Sequence, residues 1–229
     1  LTLDKEKFEK EFYKKIAQKQ PSQIALINEK GILEIFDLQE APLLSEALAK
    51  KFHKLKNYTG KSTTRPHVKL RLSISPQGVN AWMRLPNQED YFIQPVHNTK
   101  KLHFSYIKKG QNLNDSWQCK TLSPPKKSKT EYKKKQKRNL EMRTFRIAIA
   151  TTAEYTTFWG DGDDSNGSNK EDALAAVVST LNRVNEIYEN ELQIHLELVT
   201  DTTLVYTDPM SDPFTNDLSE EIQETLDNE

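Results

Sequence analysis

The sequence has little cysteine, little glycine and no long apolar run. Its 229 residues include one cysteine, Cys119, and seven glycines, and no stretch of 18 consecutive apolar residues occurs. A single cysteine excludes an internal disulfide framework and leaves the redox compartment open. Because no segment is long and apolar enough to cross a bilayer, we expect no membrane partner.

The sequence also has no net charge. Its 33 Lys and Arg residues balance 33 Asp and Glu residues, so the formal charge at pH 7 is zero and identifies no partner. The balance hides a segregation, because eight Lys or Arg residues fall within residues 126–138 and none falls in the last thirty residues. The chain begins with Leu1 rather than methionine, which is typical of a trimmed N-terminus, so the absence of a signal sequence is uninformative.

Residues 1–122 predict a small α+β domain, an antiparallel meander with two helices. Apolar residues at helical spacing predict helices over residues 4–18 and 45–56. Two short apolar runs on either side of a turn at Gly31 predict a β-hairpin. The remaining strands are predicted over residues 68–75, 79–85, 91–94 and 102–106.

The strand over residues 68–75 has a strict period of two. Its apolar residues alternate with Lys69, Arg71, Ser73 and Ser75. This pattern predicts a strand with one buried face and one face in water.

Residues 123–142 differ in composition from everything before them. They open with Pro124 and Pro125 and continue into the basic segment, residues 126–138. Such a segment cannot bury itself, which predicts a solvated linker. A second interpretation is a protease-sensitive joint, with Lys137 and Arg138 as the candidate processing site. Binding of a nucleic-acid backbone by these basic residues is disfavoured, because neither interleaved aromatic residues nor a base-reading module accompanies them.

Residues 143–199 predict a strand, a helix and a second strand. Small residues alternate with apolar ones over residues 145–150, which is typical of an interior strand buried on both faces. Ser168 and Glu171 form a capping box ahead of a helix whose apolar stripe is predicted to lie on a sheet. The second strand, over residues 193–198, is predicted to pair in parallel with the first, as part of an α/β domain.

Two acidic features of this region are weak candidates for metal sites. The loop at residues 161–165 lacks the Gly and Glu positions of a calcium-binding EF-hand loop, so we expect a surface loop. His195 and Glu197 are two residues apart on one strand, but they have no third ligand in the sequence pattern. We therefore expect both side chains to lie on the surface of the strand.

Six segments follow one another in the second half of the chain: residues 143–156, 173–176, 182–189, 196–199, 206–209 and 212–216. In order and spacing they resemble the opening of the catalytic domain of the secreted bacterial reprolysin-like (adamalysin-type) zinc metalloproteases of the metzincin clan. Two further segments, residues 57–60 and 70–81, resemble the prodomain that precedes this catalytic domain.

The resemblance implies a prodomain over residues 1–122, a linker over 123–142 and the N-terminal part of a metzincin-like catalytic domain over 143–229. It also implies a secreted or extracellular zinc endopeptidase that acts on protein or peptide substrates and is held latent by its own prodomain. The family's zinc motif, His-Glu-x-x-His-x-x-Gly-x-x-His, does not occur in the sequence. We therefore expect no catalytic residues in this chain, an inactive fragment, and the motif C-terminal to Glu229.

The resemblance also makes Cys119, the only cysteine and placed just before the basic segment, a candidate zinc ligand, because a prodomain thiolate can occupy the open position of the metal in a zymogen. Its neighbours do not match the Pro-Lys-x-Cys-Gly-Val pattern of the animal relatives, and an ordinary half-buried cysteine is the alternative. For the whole chain, the alternative to a peptidase precursor is a noncatalytic secreted binding or inhibitory protein of the same architecture. A nucleic-acid binder with a basic linker is a more distant interpretation.

Overall fold

The computed structural model of the protein describes residues 22–86, 88–96, 102–108, 141–165, 167–200 and 202–215, with five further positions between 221 and 227. Its elements are β1 (Ser22–Ile27), β2 (Leu33–Glu40), α1 (Glu46–Lys51), β3 (Lys56–Ser62), β4 (Lys69–Ser75), β5 (Gly78–Arg84), β6 (Tyr91–Pro95), β7 (His103–Ile107), β8 (Arg143–Ile147), α2 (Ala153–Trp159), α3 (Asn169–Leu192) and β9 (Ile194–Leu198). Three predicted features lie outside the described residues: the helix over residues 4–18, Cys119, and the basic segment with Lys137 and Arg138.

Strands β1 to β7 form one antiparallel sheet in which each strand pairs with the next along the chain. The predicted meander is therefore confirmed. Its first hairpin turns through Gly31 at a φ of 76°, and the Asn28 side chain accepts hydrogen bonds from the N–H groups of Lys30 and Ile32 at 3.0 and 3.1 Å. The sequence pattern does not predict β3, because the run KNYTGKS lacks an apolar alternation.

One face of this sheet carries the first apolar core. The core residues come from all of the strands β1 to β6 and from the connections beside them: Ile24, Leu26, Phe36, Tyr58, Val68, Leu70, Leu72, Ile74, Val79, Ala81, Met83, Leu85, Tyr91 and Ile93. Each of them is at most 6% exposed. The burial of these side chains is the main stabilising contribution to the N-terminal sheet.

Strand β4 is buried on both faces, so the prediction of one solvated face is wrong. Its apolar residues point into the first core, but Arg71, Ser73 and Ser75 are only 4%, 5% and 6% exposed. The reason is that α3 packs against β4. The polar face that the alternation assigns to water is covered by a helix from the other end of the chain.

Strand β7 buries the face opposite to the one that its apolar alternation predicts. Leu102 and Phe104 are 47% and 45% exposed, whereas His103 is 4% exposed. The His103 ring takes the buried position because its Nε2 accepts a hydrogen bond from the Val79 N–H at 3.1 Å. Gly78 leaves room for the ring, since a Cβ at that position would lie 2.8 Å from His103 Nε2.

Helix α1 is shorter than the predicted segment, residues 45–56. It ends at Lys51, and the residues from Lys56 onward belong to strand β3. Leu48 and Phe52, on the predicted apolar side, are both 7% exposed. They do not face the first core but a second one, which is shared with α3 and β9.

Strands β8 and β9 pair in parallel, as predicted, with Arg143 opposite Ile194 and Ile147 opposite Leu198. The prediction that the first of them is buried on both faces is wrong, because Phe145 is 50% exposed. The interior position belongs to β9. One edge of β9 pairs with β8, and the other edge meets residues 43–45 through backbone hydrogen bonds at Leu198.

Helix α3 is the crossover between β8 and β9, and both of its sides are buried. The predicted capping box is present, with the Glu171 carboxylate accepting from the Ser168 N–H at 2.8 Å. The helix ends at Leu192, and the C-cap residue Gln193 adopts a left-handed conformation at a φ of 56°. One side of α3 contacts β4 and the other contacts β9. In the part of the chain that the structure describes, no helix is long and apolar enough to cross a membrane.

The second core lies between α1, α3 and β9. Its buried members are Leu43, Leu44, Leu48, Phe52, Leu174, Val177, Val178, Leu181 and Leu198. The predicted apolar stripe of α3 is therefore confirmed over its first three turns. Near the C-terminal end of the helix, Tyr188 is 37% exposed and lies beyond this core.

A buried carboxylate ties β2 to the connection between β3 and β4. The Glu34 side chain is 2% exposed, and its Oε1 accepts from Arg65 Nε at 2.8 Å. Further hydrogen bonds come from Ser62 and from Asn28 Nδ2 at 3.1 Å. The Arg65 guanidinium holds the pKa of Glu34 at about 2, far below its ordinary value of 4.5.

The contacts of Glu34 with Arg65, Ser62 and Asn28 should make folding stability depend on pH in the acid range. Because the folded pKa is depressed, the contribution is complete above the unfolded value near 4.5 and is lost as the pH falls through about 2. Its full size is about 3 kcal/mol. Urea unfolding at a series of pH values should show a shallower acid loss in Glu34→Gln than in the wild type. Glu46→Gln, at a side chain 86% exposed, is the matched control and should leave the profile unchanged.

Candidate functional site: helix α3 and its buried ionic network

Arg71 of β4 is the centre of a buried ionic network between the N-terminal sheet and α3. Its Nε donates to Glu186 Oε2 at 2.6 Å, and its Nη2 donates to Glu189. Arg71 and Glu186 are each 4% exposed. A charge at such depth is tolerated only with a partner, so each of these residues depends on the other. Arg71 Nη1 is buried without a hydrogen-bond partner among the described residues.

The network continues to β5 and β9. Arg84 Nη1 lies 3.3 Å from Glu186 Oε1, and His195 Nδ1 lies 2.7 Å from Glu189 Oε1. Burial alone would raise the pKa of Glu189, but hydrogen bonds from His195 and Arg71 outweigh it and hold that pKa below its ordinary value. Glu189 therefore remains ionised and connects the N-terminal sheet with β9.

Two buried asparagines satisfy backbone groups on opposite sides of α3. Asn182 Nδ2 donates to the Leu72 carbonyl at 3.1 Å and to Ser73 Oγ at 2.9 Å. Asn185 Nδ2 donates to the Leu196 carbonyl at 2.9 Å, and Asn185 Oδ1 accepts from the Leu196 N–H at 2.9 Å. The Asn185 amide therefore replaces a neighbouring strand at this point of β9.

Residues 41–52 form what we call the anchor segment. The Leu43 carbonyl accepts from the Leu198 N–H at 2.7 Å, and the Ser45 N–H donates to the Leu198 carbonyl at 3.2 Å. This single parallel bridge lies on the edge of β9 opposite β8. The helix that follows places Leu48 and Phe52 in the second core. The anchor segment thus belongs to the N-terminal region in sequence and to the second core in packing.

Aromatic side chains extend the contact between the N-terminal sheet and α3. Trp82, Phe92 and Tyr106 stack across β5, β6 and β7, with ring centroids 5.8 and 5.2 Å apart. The Arg183 guanidinium of α3 lies 5.9 Å from the centroid of the Phe92 ring. Burial lowers the pKa of Arg183 below its ordinary value. The sheet therefore meets α3 through the cation–π contact between Arg183 and Phe92 as well as through ion pairs.

Two clefts border this contact. The larger, about 550 Å³, lies beside the C-terminal half of α3 and is lined by three basic and three acidic side chains: Lys61, Lys69, Arg71, Asp37, Glu186 and Glu189. Because the basic and acidic side chains balance, the lining of this cleft favours neither an anionic nor a cationic ligand. The smaller, about 300 Å³, lies between the end of α1 and the start of α3 and includes Asp172, whose pKa burial raises to about 6.

The residues singled out in the sequence take different places. His195 is not a free surface residue as predicted, because its ring is bound to Glu189 and its side chain is 18% exposed. Among the described residues no three His, Cys, Asp or Glu side chains come together as a metal site. The donor sets of this part of the chain therefore do not fit zinc. Cys119, Lys137 and Arg138 lie outside the described residues, so their roles stay predictions.

The sequence reasoning did not single out the residues of the ionic network. Asn182, Glu186 and Glu189 are spaced by four and three along α3, which is a polar stripe at helical spacing. A stripe of this kind is most often a solvated face. Arg71 in turn stands in an alternating strand, where a charged side chain normally points to water. No local signal distinguishes two solvated faces from two faces that cover each other.

Removing Arg71 should destabilise the fold strongly, because Glu186 would stay buried with only the longer contact to Arg84 at 3.3 Å. We expect Arg71→Met to lower the free energy of unfolding by about 3–5 kcal/mol in urea titrations. The double variant Arg71→Met, Glu186→Leu should be more stable than the single one, since neither charge is then stranded. Lys50→Met, at an exposed pair with Glu46, is the control and should change stability by less than about 0.5 kcal/mol. A single variant as stable as this control would contradict the network.

Replacing Asn185 should expose a defect at one point of β9. Asn185→Ala leaves the N–H and carbonyl of Leu196 without partners, which should cost about 2–4 kcal/mol. Hydrogen exchange followed by mass spectrometry should show faster exchange in the peptide containing Leu196. Thr180→Ala, at an exposed position of the same helix, should leave that exchange unchanged.

Comparison with known families gives one match. Residues 141–229 match the family described as Metallo-peptidase family M12B Reprolysin-like. No curated protein and no solved structure matches the chain. The matched residues include β8, α2, α3 and β9 and none of the seven-stranded sheet. The part of the chain that contains α3 is therefore similar to the reprolysin-like metallopeptidases, as the sequence resemblance predicts for this region.

Proposed function

We propose that this chain is the pro-region and the first part of the catalytic domain of a secreted, zinc-dependent endopeptidase. The observation that carries the proposal is the family match over residues 141–229. The pro-region in this proposal is residues 1–122, which contain the N-terminal sheet. Its support is the packing of α3, the central helix of the matched part, against β4 on one side and against the anchor segment on the other.

The described residues act as scaffold and supply no catalytic group. They contain no set of side chains that fits zinc, and the sequence contains no His-Glu-x-x-His motif. In this proposal the metal ligands and the general base belong to residues beyond Glu229. Cys119 is the proposed inhibitory thiol of the pro-region, and Lys137 and Arg138 form the proposed processing site.

A protein that continues beyond Glu229 tests the proposal. We expect it to hold about one zinc per chain and to hydrolyse a fluorogenic peptide once residues before the basic segment have been removed. The 229-residue chain, measured in parallel by equilibrium dialysis, should bind clearly less than one zinc. Cys119→Ser should raise the activity of the unprocessed protein, and Lys137→Ala with Arg138→Ala should slow its processing.

Failure of zinc binding and hydrolysis in the longer, processed protein would overturn the peptidase proposal. That result would favour a noncatalytic binding or inhibitory protein with the same architecture. Unchanged latency in Cys119→Ser would remove only the thiol from the proposal. The zinc measurement and the cysteine variant therefore test separate parts.

A further inference from the structure

Strand β7 is the last strand of the N-terminal sheet, and it ends the sheet with an open edge. It pairs with β6 on one side, and no described strand pairs with its other side. At the two ends of β7, the Leu102 carbonyl and the Lys108 N–H form hydrogen bonds of 2.8 and 3.1 Å on the β6 side. Because these bonds alternate between the two sides of an antiparallel strand, the N–H and carbonyl groups of Ser105 and Ile107 point to the open edge.

The edge lacks the sequence features that usually protect an open strand. Natural proteins often place a lysine, a proline or a bulge there. The sequence of β7, HFSYI, contains neither lysine nor proline, and its register with β6 runs from His103 to Ile107 without interruption. Leu102, Phe104 and Ile107 are each between 45% and 47% exposed. Among the described residues, β7 therefore combines open backbone groups with exposed apolar side chains.

The other edge strand of the sheet, β1, has a different surface. Its exposed side chains include Gln23 and Ala25, and Gln23 Nε2 donates to Asp37 Oδ1 at 2.7 Å. Neither of the two is a large apolar group. Of the two described edges, β7 is therefore the one that presents an apolar surface to a further strand.

The aromatic residues on the outer face of the sheet, opposite the first core, end at the β7 edge. Trp82, Phe92 and Tyr106 stack from β5 to β7. The Phe104 ring stacks on Tyr106, with centroids 5.6 Å apart. When a second β7 pairs antiparallel with Ser105 opposite Ser105, Phe104 of each copy lies opposite Tyr106 of the other. This is a non-hydrogen-bonded pair, in which side chains are closest and aromatic pairs are favourable. The row of rings then continues from one sheet into the next.

We propose that β7 is the interface of a symmetric homodimer, in which two N-terminal sheets join edge to edge with Ser105 on the two-fold axis. The same strand serves both copies, as a two-fold interface requires. The strand has five residues, so the contact is small and we expect a dissociation constant of about 10 μM. The inference does not depend on the proposed function, because the residues that form the contact all lie in the N-terminal sheet.

Sedimentation equilibrium of the 229-residue chain, from about 1 to about 300 μM, tests the inference. We expect a monomer at the lower end of this range and a dimer at the upper end. Phe104→Lys places a charge at the open edge and should weaken the association by at least about 30-fold. Leu33→Lys, at a position of β2 that is 68% exposed, is the matched control and should associate like the wild type.

A proline at position 105 distinguishes strand pairing from a general loss of apolar surface. Ser105→Pro removes an N–H that points to the open edge, and proline is tolerated on that side of an edge strand. The variant should fold like the wild type, as judged by circular dichroism, and remain monomeric. If Ser105→Pro fails to fold, Phe104→Lys decides the question, because that side chain is exposed in the monomer.

Cross-linking tests the register of the two strands. In a Cys119→Ser background, a short bis-maleimide cross-linker should join Ser105→Cys to its second copy. Gln23→Cys, on the exposed face of β1, is the control and should not cross-link under the same conditions.

A wild-type chain that stays monomeric at about 300 μM would overturn the inference. So would a dimer that persists in both Phe104→Lys and Ser105→Pro, or one that cross-links through Gln23→Cys and not through Ser105→Cys. None of these measurements involves zinc or hydrolysis, so their failure leaves the peptidase proposal standing. Conversely, a longer protein without zinc would remove the peptidase proposal and leave the dimer intact.

Discussion

The ion pair between Arg71 and Glu186 fixes the position of α3, and most of the molecule is arranged around that helix. Each charge is almost fully buried, and a buried charge without its partner would cost several kcal/mol. Strand β4 and the C-terminal half of α3 must therefore meet. Once they do, the opposite side of the helix presents an apolar stripe, and β9 and the anchor segment cover it. The two sheets are thus connected through one helix with two buried sides.

This arrangement makes the boundary between the two predicted domains a packed contact. Residues 41–52 lie within the predicted first domain, but their apolar side chains complete the core of the part that is similar to reprolysin-like peptidases. The two parts of the described chain are therefore joined by an apolar core as well as by the buried ion pairs of Arg71.

The sequence predicts much of the local structure and little of the contact between the parts. The meander, the Gly31 hairpin and the capping box of α3 are confirmed, because each depends on residues close together in the sequence. The parallel pairing of β8 with β9 is confirmed because two strands joined by a crossover helix pair in parallel. The burial of Arg71 is not predictable in this way, since an alternating strand looks the same whether its polar face meets water or a helix. The exposure of Phe145 has a similar origin, because strand order decides which strand is interior.

The site residues that the sequence did not identify take their roles from contacts with other elements. Asn182, Asn185 and Glu186 look like ordinary polar residues of a solvated helix, and only the partner surface on β4 or β9 gives them a role. His195 likewise gains its role from Glu189, which lies on a different element. The contacts of Asn182 and Glu186 with β4 join residues more than a hundred positions apart, and such contacts leave no periodic trace in either segment.

The amide of Asn185 has a consequence for the behaviour of the protein in concentrated solution. An exposed strand edge is a template on which other chains can add and aggregate. On β9 that edge is closed at Leu196 by the Asn185 amide and at Leu198 by the anchor segment. The closure at Leu196 comes from α3 itself and does not depend on the N-terminal region. A single side chain thus protects this point of the edge from the addition of another chain.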